Sequence, residues 1–172
     1  MTQPQIGQGV IIGKNVEFGK NITIWHYTVI GDNTKIGDNT RIGSFVDIGK
    51  DVTIGKNCVI QAQATISNKC KIGNKVFMGP NSSILNDRFP YGKSLTPSTI
   101  EDNVILGGCV TILPDITVGQ NSVIAAGSVA VKDIPPQTVV KGVPATTMMT
   151  RKEYEEKKAK FIEKRKQQTK TS

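Results

Sequence analysis

From Ile6 onward, every sixth residue is large and apolar: Ile6, Ile12, Phe18, Ile24, Ile30, Ile36, Ile42, Ile48, Ile54, Ile60, Ile66, Ile72, Met78 and Ile84. The register returns at Ile100, Leu106, Ile112, Val118, Ile124 and Ala130. Four residues past the anchors sit small or β-branched side chains, among them Val10, Val16, Thr28, Thr34, Thr40, Cys58, Ala64, Cys70 and Val76. Glycine usually follows the anchor, and then pairs drawn from Lys, Asp and Asn. Such a period matches neither the ~3.6-residue repeat of a helix nor the ~2-residue alternation of a long strand. It matches a short strand closed by a tight turn. The β-branched residues favour the pleated part, and Gly, Asn and Asp tolerate a left-handed turn conformation. Stacking these segments sets anchor over anchor in one inner column, stabilised by contacts between neighbouring repeats. The chain is therefore predicted to be an all-β parallel solenoid, with Cys58 and Cys70 as core filler.

The spacing between Ile84 and Ile100 is 16 instead of six. The ten extra residues lie within Asn86–Pro97, where two prolines, a glycine and mixed charges read as a loop leaving the solenoid, about residues 86–99. Beyond Ala130 the repeat fades through Pro135-Pro136 into Lys141-Gly142-Val143-Pro144-Ala145. Residues 150–167 read as a helix with Glu153–Lys157 and Glu156–Lys160 pairs and an apolar stripe of Tyr154, Phe161 and Ile162, packed on the solenoid or a neighbouring subunit. The expected division is 1–147 for the solenoid and 148–172 for a C-terminal helix and basic tail.

Of the net charge of +8, residues 151–172 carry +5, from nine Lys/Arg and four Glu. The basic balance is thus mostly a tail, and nucleic-acid binding is not expected. No apolar run reaches the ~18–20 residues of a membrane span, and Met1-Thr2-Gln3-Pro4-Gln5 has no signal-peptide character. Three cysteines without a C-x-x-C pair read as reduced thiols of a cytoplasmic protein.

In these repeats the chain resembles the hexapeptide-repeat family, whose fold is a left-handed parallel β-helix. Three hexads make one triangular coil in that family, so twenty hexads imply about six and two-thirds coils, roughly 30 Å tall at ~4.8 Å per rung. The left hand comes from the resemblance and departs from the usual crossover rule. The family's members include acyltransferases, zinc carbonic anhydrases and ice-binding solenoids. A zinc site needs several imidazoles, and His26 is the sole histidine; no metal is expected. Ice-binding solenoids present flat ranks of Thr, whereas the outward slots here hold Lys, Asp, Asn and Gln.

Within the acyltransferases, the chain is similar from about residue 18 to 147 to sugar-nucleotide N-acetyltransferases that modify 3-amino sugars for surface polysaccharides. The matching pieces are Trp25-His26, Ile60-Gln61, Met78-Gly79-Pro80-Asn81, Asn86-Asp87-Arg88-Phe89-Pro90 and Gly142-Val143-Pro144-Ala145. Where that branch often has Arg after the loop proline, this chain has Tyr91. The resemblance implies acetyl-CoA as cosubstrate, a UDP- or dTDP-linked amino sugar as acceptor, and a homotrimer with sites between the prisms.

Chemistry separates amine from hydroxyl acceptors. Oxygen acetylation requires a base, normally His, to take the hydroxyl proton, and hydroxyl-modifying relatives keep a His in or near the segment that here reads Leu85-Asn86-Asp87-Arg88. An amino sugar titrates nearer ~8 than ~10, so positioning supplies much of the acceleration. Asn86 is the expected catalytic group, hydrogen-bonding the attacking amine while the departing sulfur takes the proton. Gln61, Gln63, Asp87, Arg88, Tyr91 and His26 are expected substrate contacts, His26 being otherwise a hydrogen-bonded corner imidazole. Lys132 and Lys141 would meet the phosphates of coenzyme A, and Gly108, Ala126 and Val143 its pantetheine arm. At 18 residues per coil, Trp25, Gly43, Gln61 and Gly79 form one vertical file, and Asn68 lies beneath Asn86. The alternatives are an O-acetyltransferase of this fold with His26 or Asp87 as base, and a non-catalytic trimeric subunit.

Overall fold

The computed structural model describes residues 3–90 and 94–170. Each apolar anchor ends a two-residue strand, from Gln5–Ile6 through Val129–Ala130. The strands stack in parallel at 18-residue intervals, as in Thr23↔Arg41 and Ile24↔Ile42. They form three faces of a left-handed prism of about seven turns. The first face carries Thr23–Ile24, Arg41–Ile42 and Val59–Ile60; the second carries Val29–Ile30 and Ser83–Ile84; the third carries Lys35–Ile36 and Thr99–Ile100.

Anchors fill the axis: Ile30, Ile42, Ile48, Met78, Ile84 and Leu106 are fully buried. The slot four residues later also points inward, and Cys58 and Cys70 are buried there, as expected for core filler. Burial pushes both thiols above their ordinary pKa. Hydroxyl side chains in this slot are paired rather than stranded. Thr28 Oγ1 donates to the Gly43 carbonyl at 2.8 Å and accepts the Val46 N–H at 3.3 Å. Ser98 serves Leu113 and Ile116 in the same way.

The corners divide the turn chemistry differently from the sequence reading. The left-handed residue is the third after the anchor, usually Asn or Asp, as at Asn33 (φ 59) and Asp51 (φ 57). The glycine directly after the anchor serves close stacking instead: a Cβ on Gly43 would lie 2.5 Å from the Ala62 nitrogen. Side chains at the second corner position accept N–H groups from the coil below. Asp32 Oδ1 takes Lys14 N–H and Asp38 Oδ1 takes Lys20 N–H, each at 2.8 Å, while Asn68 and Asn74 do the same for Lys50 and Lys56.

Between Ile84 and Thr99 the loop leaves the edge joining the second and third faces. Beyond Val129–Ala130 the chain adds Thr138–Lys141 to the first face and turns back in the antiparallel strand Thr146–Thr150. The fading repeat gave no sign of this hairpin, and the expected division at 147/148 falls within its second strand. A helix follows over Arg151–Lys170. Thr150 Oγ1 receives the Glu153 N–H, and the Glu153 carboxylate accepts the Thr150 N–H at 2.7 Å, a capping box. Glu153 therefore caps the helix, and the ion pairs beside it are Arg151–Glu155 and Lys158–Glu155. Arg151 also reaches the carbonyls of Asn103 and Asn121, tying the first turn to the prism. Phe161 and Ile162 stay exposed.

Candidate functional site

Asn86 sits at the base of the loop, one rung above Asn68. Its Nδ2 donates to the Asn68 carbonyl at 2.9 Å, and its own carbonyl accepts the Thr96 N–H at 2.7 Å. Thr96 in turn accepts the Asp115 N–H through its carbonyl. The half-buried side-chain amide is thus anchored to the coil below by one hydrogen bond, while the Asn86 backbone is tied to Thr96. Asp87 and Arg88 come next, with Asp87 Oδ1 accepting the Phe89 N–H at 3.1 Å. Tyr91 lies outside the described residues.

Beside the loop base is a cleft of about 470 Å³, with Leu85, Leu113 and Val131 as apolar walls and Asp87, Arg88 and Lys132 among its polar groups. Arg88 Nη1 stands 3.7 Å from an Asp115 carboxylate oxygen across it. The structure therefore brings together Asp87, Arg88 and Lys132. Asp115 was missed by the sequence reading because the ten inserted residues hide which corner it shares with the loop.

The edge joining the first and second faces holds the other expected residues. His26 is there, in the second coil. Its Nδ1 accepts the Gln8 N–H at 2.9 Å, which places the ring proton on Nε2 in the neutral form. It is a hydrogen-bonded corner imidazole, on a different edge from Asn86 and three rungs, or about 14 Å, nearer the start. Gln61 and Gln63 occupy this same edge two coils above His26, both exposed, with Gln63 in the left-handed conformation (φ 61). Gln61 lines a second cleft of about 380 Å³ together with Trp25, Arg41 and Gly43. Tyr27 and Phe45 stack on this edge at 5.4 Å between ring centroids.

Higher on the same edge are Gly108 and Ala126, with the Gly127 N–H donating to the Gly108 carbonyl. Lys141 and Val143 follow at its top, where the Gly142 carbonyl receives the Val129 N–H. A Cβ on Gly127 would meet nothing within 4 Å, and one on Gly108 nothing closer than 3.5 Å. This stretch is exposed backbone with little side-chain cover, which suits a long flexible arm lying along it. Lys132 does not share it. Asn86 follows a strand of the second face and the Gly108–Ala126 stretch follows strands of the first, so within one chain they stand at the two edges of the second face, one face-width apart.

Among the described residues there is no group of three His, Cys, Asp or Glu able to hold a metal, and no helix long and apolar enough to cross a membrane. The three cysteines are free, with Cys109 exposed.

Residues 33–68 and 97–130 match the profile of the bacterial transferase hexapeptide (six repeats). The chain is 56% identical over 48 residues to galactoside O-acetyltransferase from Escherichia coli, a match covering 28% of this chain and 24% of that protein. It is 40% identical over 70 residues to 2,3,4,5-tetrahydropyridine-2,6-dicarboxylate N-acetyltransferase from Clostridium perfringens, covering 41% of this chain and 30% of that protein. The matched stretches thus span well under half of these curated relatives. In fold it is similar to AntD, an N-acyltransferase from Bacillus cereus whose variant was crystallised with dTDP and coenzyme A. The TM-score is 0.67 at 21% identity, covering 88% of this chain and 93% of that one.

Proposed function

We propose that this chain, a left-handed β-helix built of transferase hexapeptide repeats, is an acetyl-CoA-dependent N-acetyltransferase acting on the amino group of a nucleotide-linked sugar. The observation that carries the reading is the loop base: an amide, Asn86, hydrogen-bonded to the Asn68 carbonyl, stands there, and the sole imidazole is three rungs away with Nδ1 occupied. With Nδ2 committed to Asn68, Asn86 offers its Oδ1, an acceptor, to an incoming amine N–H. The neutral amine attacks the thioester carbonyl, the C–N bond forms, and the C–S bond breaks. The proton shed by nitrogen ends on the departing coenzyme A sulfur, so the acceptor needs no strong base. The likeness in fold to AntD, an N-acyltransferase crystallised with dTDP and coenzyme A, agrees with this reading.

Acetyl-CoA would lie along the bare backbone at Gly108 and Ala126, with Val143 and Lys141 at its end. Because that edge and Asn86 are separated by a whole face, a complete site would form between protomers, in keeping with a homotrimer. Exposed Tyr27 and Phe45, stacked on that edge, supply apolar surface for such packing. Gln61, Gln63, Asp87, Arg88 and Tyr91 remain the acceptor contacts, in a cytoplasmic enzyme. The strong local identity to a galactoside O-acetyltransferase supports a second reading, hydroxyl acetylation with Asp87 as base.

Thiol release from acetyl-CoA, measured with a nucleotide-linked amino sugar and with its hydroxyl analogue, separates the two. Turnover confined to the amino sugar and reduced at least tenfold by Asn86→Ala is expected. Equal turnover of the hydroxyl analogue, or an unchanged rate in Asn86→Ala, refutes the N-acetyl reading.

A further inference from the structure

We propose that the notch between Trp25 and Gln61 binds a nucleoside diphosphate, with the base against the indole and the diphosphate on Arg41. The inference names a subsite for the acceptor proposed above and takes the nature of the ligand from that reading.

Trp25, Gly43 and Gln61 occupy one corner position on three successive rungs, because Ile24, Ile42 and Ile60 stack in register. Most corners carry glycine there; Trp25 and Gln61 depart from it, and Gly43 leaves the rung between them bare. Two rungs span about 9.6 Å. A flat ring inserted over Gly43 would sit about 4.8 Å from each neighbour, within the ~4.5–7 Å centroid range of stacked rings. The neighbouring file already does this: Tyr27 and Phe45, one rung apart, stack at 5.4 Å with their planes 18° apart.

The rest of the notch suits a phosphorylated base. The Trp25 indole is 54% exposed, a large apolar surface left in water by the chain alone. Gln61 presents an amide donor and acceptor, the pair needed to read a base edge. Arg41 projects from the flanking strand Arg41–Ile42 into the same cleft. Its side chain has no ion pair or hydrogen bond among the described residues, whereas Arg88 and Arg151 have acidic partners. An arginine beside an exposed aromatic ring matches a diphosphate through charge-assisted hydrogen bonds. The adenine nucleotide of coenzyme A shares this chemistry, so the experiment must distinguish it.

Trp25 is the sole tryptophan, so intrinsic fluorescence of the full chain reports this notch without any need for turnover. Titration with UDP and dTDP should quench the emission saturably. Arg41→Ala and Gln61→Ala should each weaken that binding, Arg41→Ala by about tenfold, the loss of one charge-assisted hydrogen bond. Pyrophosphate alone should leave the emission unchanged, since it brings no ring. Quenching by coenzyme A at lower concentration than by either nucleotide overturns the assignment. So does the absence of quenching up to millimolar nucleotide, the result expected where a second copy of the chain covers Trp25, or quenching that both variants retain in full. Acetyl transfer without quenching removes the notch and leaves the enzyme reading standing; quenching without acetyl transfer does the reverse.

Discussion

Replacing Thr28 by Val keeps the shape of the side chain and deletes its two hydrogen bonds. In the native prism Oγ1 donates 2.8 Å to the Gly43 carbonyl and accepts the Val46 N–H at 3.3 Å, at a position with 0% exposure. The valine methyl adds roughly one buried methyl of apolar contact, worth about 0.8 kcal/mol. Against it stand two main-chain groups left without partners in the core, each costing about 1–3 kcal/mol. The balance is a loss of about 3 kcal/mol, equivalent to a Tm drop of roughly 6–12 °C for a chain of this size. Valine itself fits the slot sterically, since Val46 and Val52 occupy it on the next coil. Urea unfolding followed by circular dichroism should show a lower midpoint at unchanged m-value. Thr53→Val, the same chemical change on an exposed strand position, should stay within about 0.5 kcal/mol of the parent. Equal stability of Thr28→Val and Thr53→Val would refute the reasoning that inward hydroxyls satisfy corner carbonyls.

Asp32 and Asp38 are held below the ordinary carboxylate pKa, first by the backbone N–H groups of Lys14 and Lys20 and then by Lys50 and Lys56. A depressed folded pKa means that their contribution is present above the unfolded value near 3.8 and is lost as pH falls through the folded value. Acid unfolding curves should therefore steepen below about pH 4, and Asp32→Asn/Asp38→Asn should flatten them. Asparagine keeps the acceptor, as Asn68 and Asn74 do at equivalent corners. A double variant with an unaltered acid limb would count against the ladder as its source. For the thiols, Cys109 should react quickly with a maleimide in the native protein while Cys58 and Cys70 wait for unfolding. Mass spectrometry showing two or three rapid additions would contradict the inward placement of that pair.

The prism was legible because a six-residue rule binds core, strand and turn at once, so each anchor confirms its neighbours. The stacking of Asn86 on Asn68 followed from the same arithmetic. Three things escaped it. The role of the corner glycines was misread, because interatomic clearance to the next rung cannot be seen in a single hexad. The terminal hairpin was invisible, since its pairing is antiparallel and aperiodic. Arg41 carries no signal in the repeat itself; only its placement beside Trp25 and Gly43 singles it out. A local signal did exist for the helix start, in Thr150-Arg151-Lys152-Glu153, whose first and last members cap each other.

Because one hexad equals one face, the corners behave like positions on a three-way dial. Removing a single hexad beneath Asn86 would leave every anchor buried, yet turn the loop by a third of a revolution relative to Trp25. Excising a complete coil would lower the loop by one storey and keep its bearing. Core composition therefore places almost no restraint on where around the prism a loop emerges, and chains of this build can relocate a reactive group without redesigning the interior that supports it.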